Sequence, residues 1–217
     1  TGNLDSLLTF WILLSIHSFY KGYLTNSKIW FYIFGVSLGF GFLTKGAVSL
    51  FFPIIAGLYL LFNKEYKIIR SSFFLKGIIL GLIIPLVWIL ISFSVNGQQF
   101  ISDLFFNQTG KFSTTLSSWK NFSLDYFWYL KTGLKFWFIV FIPSFFYTLL
   151  KWRNTNKILL FIYFISIFII LTFSENKSNW FLLPAYPIIA LMIGYTLYCV
   201  SEKIFKRIFL LTIIAVF

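Results

Sequence analysis

Apolar residues run along this chain in blocks separated by short polar interruptions: Leu4 to Tyr20, Ile29 to Leu43, Ala47 to Phe62, Phe73 to Val95, Leu134 to Leu150, Ile158 to Phe173, Trp180 to Val200, and a last run from Ile208. Blocks of this length predict helices. A transmembrane barrel strand needs about 9–11 residues and a membrane-crossing helix about 20, and nothing here alternates with a period of two. The pattern predicts an all-α integral membrane protein, one transmembrane unit over residues 1–217, with about seven complete transmembrane helices and a truncated eighth. The second and third blocks nearly meet at Thr44, Lys45 and Gly46, which predicts a tight helical hairpin turning near one membrane face. The chain starts without Met one turn before an apolar run and stops inside another, so it reads as a segment of a larger membrane protein.

Composition agrees with the pattern. Fifty-nine per cent of the residues are apolar, 24% aromatic and only 11% charged, against about 25% charged in soluble domains. A water-soluble core, a disordered chain and a collagen-like repeat are excluded together. The net charge of +12 suggests a nucleic-acid partner until it is sorted by connection. One alternating set holds Lys21, Lys28, Lys64, Lys67, Arg70, Lys76, Lys151, Arg153, Lys157, Lys203, Lys206 and Arg207; the other holds Lys45, Lys111, Lys120, Lys131, Lys135 and Lys177. The richer set is cytoplasmic by the positive-inside rule, so most of the charge reports topology and no nucleic acid is implied. The opposite, outer face receives Asp5, the Lys45 turn, the long connection 96–125 and the turn Ser174 to Asn179. It also collects the acids Asp5, Asp103, Asp125 and Glu175.

The outer connection has a pattern of its own. Phe100, Ile101, Leu104 and Phe105 share one helical face, which predicts a short helix lying in the interface. A polar stretch, Thr109 to Ser118, follows, and the cluster Tyr126 to Tyr129 returns to headgroup level.

Several residues on this face have two readings. Asp5 either caps the first helix or serves as a catalytic or substrate-orienting acid. Lys45, followed by Gly46, either snorkels to the headgroups or contacts a phosphate, for which a compact ammonium with three donors is suited. Glu175 and Lys177 form either a solvated turn or part of a site, and Pro184 and Pro187 just beyond them predict a loosened helix that shapes a cavity. Lys131 and Lys135, one helical turn apart, are expected to place two charges on one face. His17 is alone and Cys199 lies in an apolar run, so no metal-ligand cluster, disulfide framework or nucleotide loop is present, and the cofactor is left open.

Four stretches in order resemble a family. They are Gly39-Phe40-Gly41-Phe42-Leu43-Thr44-Lys45-Gly46-Ala47 with Pro53; Phe105, Phe106 and Asn107 before Lys111-Phe112; Tyr126 to Tyr129; and Phe173-Ser174 through Lys177 to Leu182-Leu183-Pro184-Ala185-Tyr186-Pro187. Together they resemble the polyprenyl-phosphate-sugar glycosyltransferases of the GT-C membrane type, akin to protein mannosyltransferases and the lipid A aminoarabinose transferase. Asp5 matches an acid that opens an early span. The chain departs from the family in lacking the proline after the outer Ser-Lys and the His before the aromatic cluster. The family's leading catalytic acid would lie before Thr1, so the segment alone is expected to be inactive.

The resemblance implies a sugar donor linked to a polyprenyl phosphate, a lipid, protein or glycan acceptor, and work at the periplasmic face of the inner membrane. It implies Asp5 and Glu175 as catalytic acids, and Lys45, Lys177, Lys111, Lys131 and Asn107 as substrate contacts. A transporter or flippase of anionic lipid-linked substrates is the competing reading, favoured if charges lie deep within spans.

Overall fold

A computed structural model describes residues 4–46, 49, 51–116, 124–153, 155, 157–172 and 177–216. Every element among them is helical: α1 (Leu4–Thr25), α2 (Lys28–Lys45), α3 (Phe51–Phe62), α4 (Tyr66–Ile69), α5 (Ser72–Leu116), α6 (Asp125–Leu134), α7 (Trp137–Trp152), α8 (Ile158–Thr172), a 3₁₀ helix (Asn179–Ala185) and α9 (Tyr186–Val216).

The longer helices bury a stripe and leave much of the rest apolar. On α1 the buried positions are Asp5, Leu8, Ile12, Ser15, Ile16, Ser18, Phe19 and Gly22, a spacing dominated by three and four that keeps one face inward. Its other faces carry exposed Leu4, Leu7 and Phe10, and α5 exposes Ile79, Leu82, Ile83, Leu86, Leu90 and Ile91. Apolar surface on this scale has no stable place in water, and the chain is a helical membrane protein.

Among the described residues, two helical stretches are long and apolar enough to cross a bilayer: Ser72–Phe100 and Asn179–Glu202. A third crossing results if α6 and α7, bent by 115° at their junction, act as one broken span. The apolar parts of α3 and α8, Phe52–Leu61 and Ile158–Ile169, are shorter, at about 1.5 Å per residue well below a hydrocarbon core of about 30 Å. The seven or eight crossings expected from the apolar blocks therefore go beyond what helix length and apolarity support.

Three local expectations change. The run from Ile208 is no separate eighth helix, since α9 continues unbroken from Tyr186 to Val216. The intervening Ser201-Glu202-Lys203-Ile204-Phe205-Lys206-Arg207 holds no Gly or Pro, and its Glu, Lys and Arg are strong helix formers that carry the helix through a polar stretch. In the connection 96–125 the helix is longer than expected, running to Leu116 as the second part of α5 beyond a kink. Gly97, at φ 65° and ψ −155°, makes the bend with a backbone conformation that only glycine adopts freely. Trp88 and Phe100 have ring centroids 5.4 Å apart, whereas twelve residues on a straight helix would separate them by about 18 Å, so the chain folds back at Gly97. Finally, Lys131 and Lys135 do not share a helix face. Lys135 sits at φ 49° and ends α6, its N–H bonding to the Lys131 carbonyl, so the helix breaks between them and Trp137.

The helices pack in two ways. α2 lies between α1 and α5, with Gly35 and Gly39 against α5, and meets α3 through Phe34 and Phe52, whose rings are 6.3 Å apart. α7, α8 and α9 pack through aromatic rings, and the 3₁₀ helix touches α1, α6, α8 and α9 at one end of the molecule.

Candidate functional site

The end of the bundle that carries Lys45 is built from helix termini. Gly46 ends α2 at φ 66°, its N–H returning to the Phe42 carbonyl, so that Lys45 occupies the last turn, where a cation is favoured by the helix dipole. Asp5 occupies the first turn of α1, where an anion is favoured. Because α1 and α2 run antiparallel as neighbours, these two ends meet. The Lys45 ammonium bonds the Asp5 carboxylate across forty residues of chain. Asp5 is only 4% exposed, whereas about a third of the Lys45 side chain remains open. Lys45 therefore turns inward to a partner instead of snorkelling, and Asp5 uses its carboxylate on that lysine.

A third element completes this corner. Pro184 lies within the 3₁₀ helix and Pro187 in the first turn of α9, the one helical turn that tolerates a missing N–H. The loosening expected from the two prolines is thus present as 3₁₀ geometry, and it presents Phe181 to the site. The Lys45 ammonium lies 4.6 Å from the centroid of the Phe181 ring, a cation–π contact that gains strength where water is excluded.

Lys177 stands four residues before Phe181. Its ammonium is 3.9 Å from the Asp125 carboxylate at the start of α6, with Lys177 mostly covered and Asp125 half open. The next residue, Ser178, donates its N–H to the hydroxyl of Tyr126 at 3.3 Å, and Tyr126 is completely buried. A buried phenol on α6 thus ties down the turn that carries Lys177. Lys131 lies elsewhere on α6, exposed, with its ammonium 4.9 Å from the Trp128 ring centroid.

The structure therefore joins Asp5 to Lys45 directly and places Lys177 on the segment that covers them. Glu175 lies outside the described residues, as do the side chains of Asn107 and Lys111. Asp125, Tyr126 and Phe181 were not among the expected site residues. Asp125 was visible as an outer acid before an aromatic cluster, but its pairing across the turn depends on how α6 docks. Among the described residues no three His, Cys, Asp or Glu side chains come together to hold a metal ion.

Comparison with known proteins points one way. Residues 1–91 match the family model described as dolichyl-phosphate-mannose-protein mannosyltransferase. Over 72 residues, 31% of the chain and 13% of the relative, the chain is 38% identical to the undecaprenyl phosphate-alpha-4-amino-4-deoxy-L-arabinose arabinosyl transferase of Wigglesworthia glossinidia brevipalpis. It is 29% identical over 164 residues to an uncharacterized protein of Aquifex aeolicus, covering 74% of the chain and 36% of that protein. The chain thus spans well under half the length of these relatives. No solved structure matches it. The resemblance read from the sequence is borne out, over a segment that contains both Asp5 and Lys45.

Proposed function

We propose that this chain, a relative of the GT-C membrane glycosyltransferases, helps move a sugar from a polyprenyl-phosphate donor to a lipid, protein or glycan acceptor at the periplasmic face of the inner membrane. The Asp5–Lys45 pair carries the reading: a largely buried carboxylate and a partly open ammonium, held at facing helix ends inside the family-matching segment. Transfer requires the acceptor hydroxyl to attack the anomeric carbon as the bond from that carbon to the phosphate oxygen breaks. The electron pair leaves with the polyprenyl phosphate, and the hydroxyl proton goes to a base.

Lys45 has three donors and gives one to Asp5, so it can accept a donor phosphate without leaving the corner. As the leaving phosphate gains charge, the ammonium stabilises it. Asp5 then orients the acceptor or assists the base. Lys177, on the segment that bears Phe181, supplies a second cation to the phosphate, while Lys111, Lys131 and Asn107 contact the substrate and Glu175 assists as an acid. Supporting this placement over a transporter, the Asp5–Lys45 and Asp125–Lys177 pairs lie at helix ends and not within spans.

The test uses the full-length protein in membrane vesicles with a radiolabelled polyprenyl-phosphate sugar. Lys45→Ala should lower transfer about 100-fold or more, in the range seen when one stabilising donor is removed, and Asp5→Asn should lower it as well. Label movement across the bilayer without release of free polyprenyl phosphate would instead establish transport, and unchanged transfer in both variants would remove the assignment.

A further inference from the structure

The end of the bundle opposite Lys45 carries a feature that the glycosyltransferase reading does not use. A groove of about 330 Å³ opens on the surface between α2 and α5, lined by Tyr32, Lys76, Ile79, Leu80 and Ile83. Its floor exists because α2 and α5 run parallel at very close range, with Phe31 against Gly77 and Gly35 against Gly81. That approach leaves a furrow between the flanking side chains. Ile79, Leu80 and Ile83 follow Lys76 at three, four and seven residues, so the furrow is apolar along its length and cationic at one end. Lys28 stands one helical turn before Tyr32 on the same face of α2.

The charge at that end is one-sided. Lys64, Lys67 and Arg70 lie on the connection that leads into α5, and its acid, Glu65, accepts a hydrogen bond from the Tyr23 hydroxyl at 3.3 Å. Among the described residues no carboxylate pairs with Lys76. Tyr32 is thirteen residues before Lys45 on α2, which puts the cationic end of the groove about 20 Å from Lys45 along the helix axis. By the charge rule this is the cytoplasmic end.

We propose that the α2–α5 groove binds an anionic glycerophospholipid of the cytoplasmic leaflet, its headgroup phosphate on Lys76 with Lys28 nearby and one acyl chain along Ile79, Leu80 and Ile83. The chemistry fits on both counts. The furrow is apolar where a chain would lie, and its cations sit at headgroup level, where basic residues attract anionic lipid. This inference does not depend on the proposed transfer reaction.

Native mass spectrometry of the full-length protein, loaded with equal amounts of dioleoylphosphatidylglycerol and dioleoylphosphatidylcholine, tests it. The protein should retain the anionic lipid at least fivefold over the zwitterionic one. Lys76→Gln should abolish that preference, Ile83→Trp, which fills the furrow without changing charge, should reduce it, and Lys151→Gln, a basic residue on α7, should leave it intact. No preference in the unaltered protein, or an unchanged one in Lys76→Gln, overturns the proposal. So does displacement of phosphatidylglycerol by an equal amount of undecaprenyl phosphate, which would make the groove a site for the donor's lipid.

Discussion

The seam between α2 and α5 and the seam between α7 and α8 solve the same problem with opposite materials. Helices in lipid gain little from burying apolar surface against each other, because the lipid tails are equally apolar, and must associate through close packing. α2 and α5 do so by removing side chains. Gly35 and Gly39 on one helix and Gly77 and Gly81 on the other are each four residues apart, and a Cβ built on Gly35 would lie 1.9 Å from the Gly77 carbonyl oxygen. α7 and α8 do so by interlocking rings: Phe145 lies 4.8 Å from Phe161 and 6.1 Å from Phe164, and Phe141 lies 5.8 Å from Phe164, centroid to centroid. A backbone contact has no freedom to yield, whereas a ring contact can repack. The first seam holds α2 rigidly and therefore fixes Lys45 against Asp5; the second sets the frame on which α9 and its 3₁₀ lead stand.

That contrast can be broken at its rigid side first. Gly35→Leu should cost about 3 kcal/mol or more, because the obstacle is a carbonyl on the neighbouring helix, and the yield of folded protein after detergent extraction should collapse. On the ring seam, Phe145→Ala should cost about 3 kcal/mol, while Phe145→Leu, which keeps most of the volume, should cost under about 1.5 kcal/mol; thermal melts of both variants read the difference. Near the candidate site, Gly133→Ala would bring a Cβ within 2.1 Å of the Tyr186 hydroxyl. A side-chain tip can shift, so a loss of only about 1–2 kcal/mol is expected from the same melts. Gly194 sharpens the comparison from the other side, since nothing lies within 4 Å of a Cβ placed there. Gly194→Ala should raise stability by about 0.5–1 kcal/mol through helix propensity alone. A ranking in which Gly35 and Gly194 tolerate alanine and larger residues equally would show that the α2–α5 seam is not close-packed.

Much of the site was legible along the chain. Gly46 after Lys45 announced the end of α2, because a helix terminates readily where glycine takes positive φ, and Pro184 with Pro187 announced irregular geometry before α9. The glycine spacing 35, 39 and 77, 81 was equally present as a small-xxx-small pattern, though it could not say that these two stretches face each other. Helix boundaries were less legible. Polar residues marked apparent gaps at 201–207 and 109–118, yet Glu, Lys and Arg carried α9 through, and the bend at Gly97 let one helix follow another with no intervening loop. The Lys135 break was hidden because a non-glycine residue adopts φ 49° there, a conformation no propensity assigns to lysine.

By itself the sequence determined that this protein lives in lipid and that its elements are helices. These follow from composition and one-dimensional spacing, since burial in a bilayer and helix periodicity act on each segment separately. Only the tertiary structure decided that Asp5 reaches Lys45, that Phe181 covers that lysine, and that Lys177 answers to Asp125. Such contacts join residues tens of positions apart, and they depend on how closely neighbouring helices approach, which the glycine seam and the 3₁₀ turn set in three dimensions.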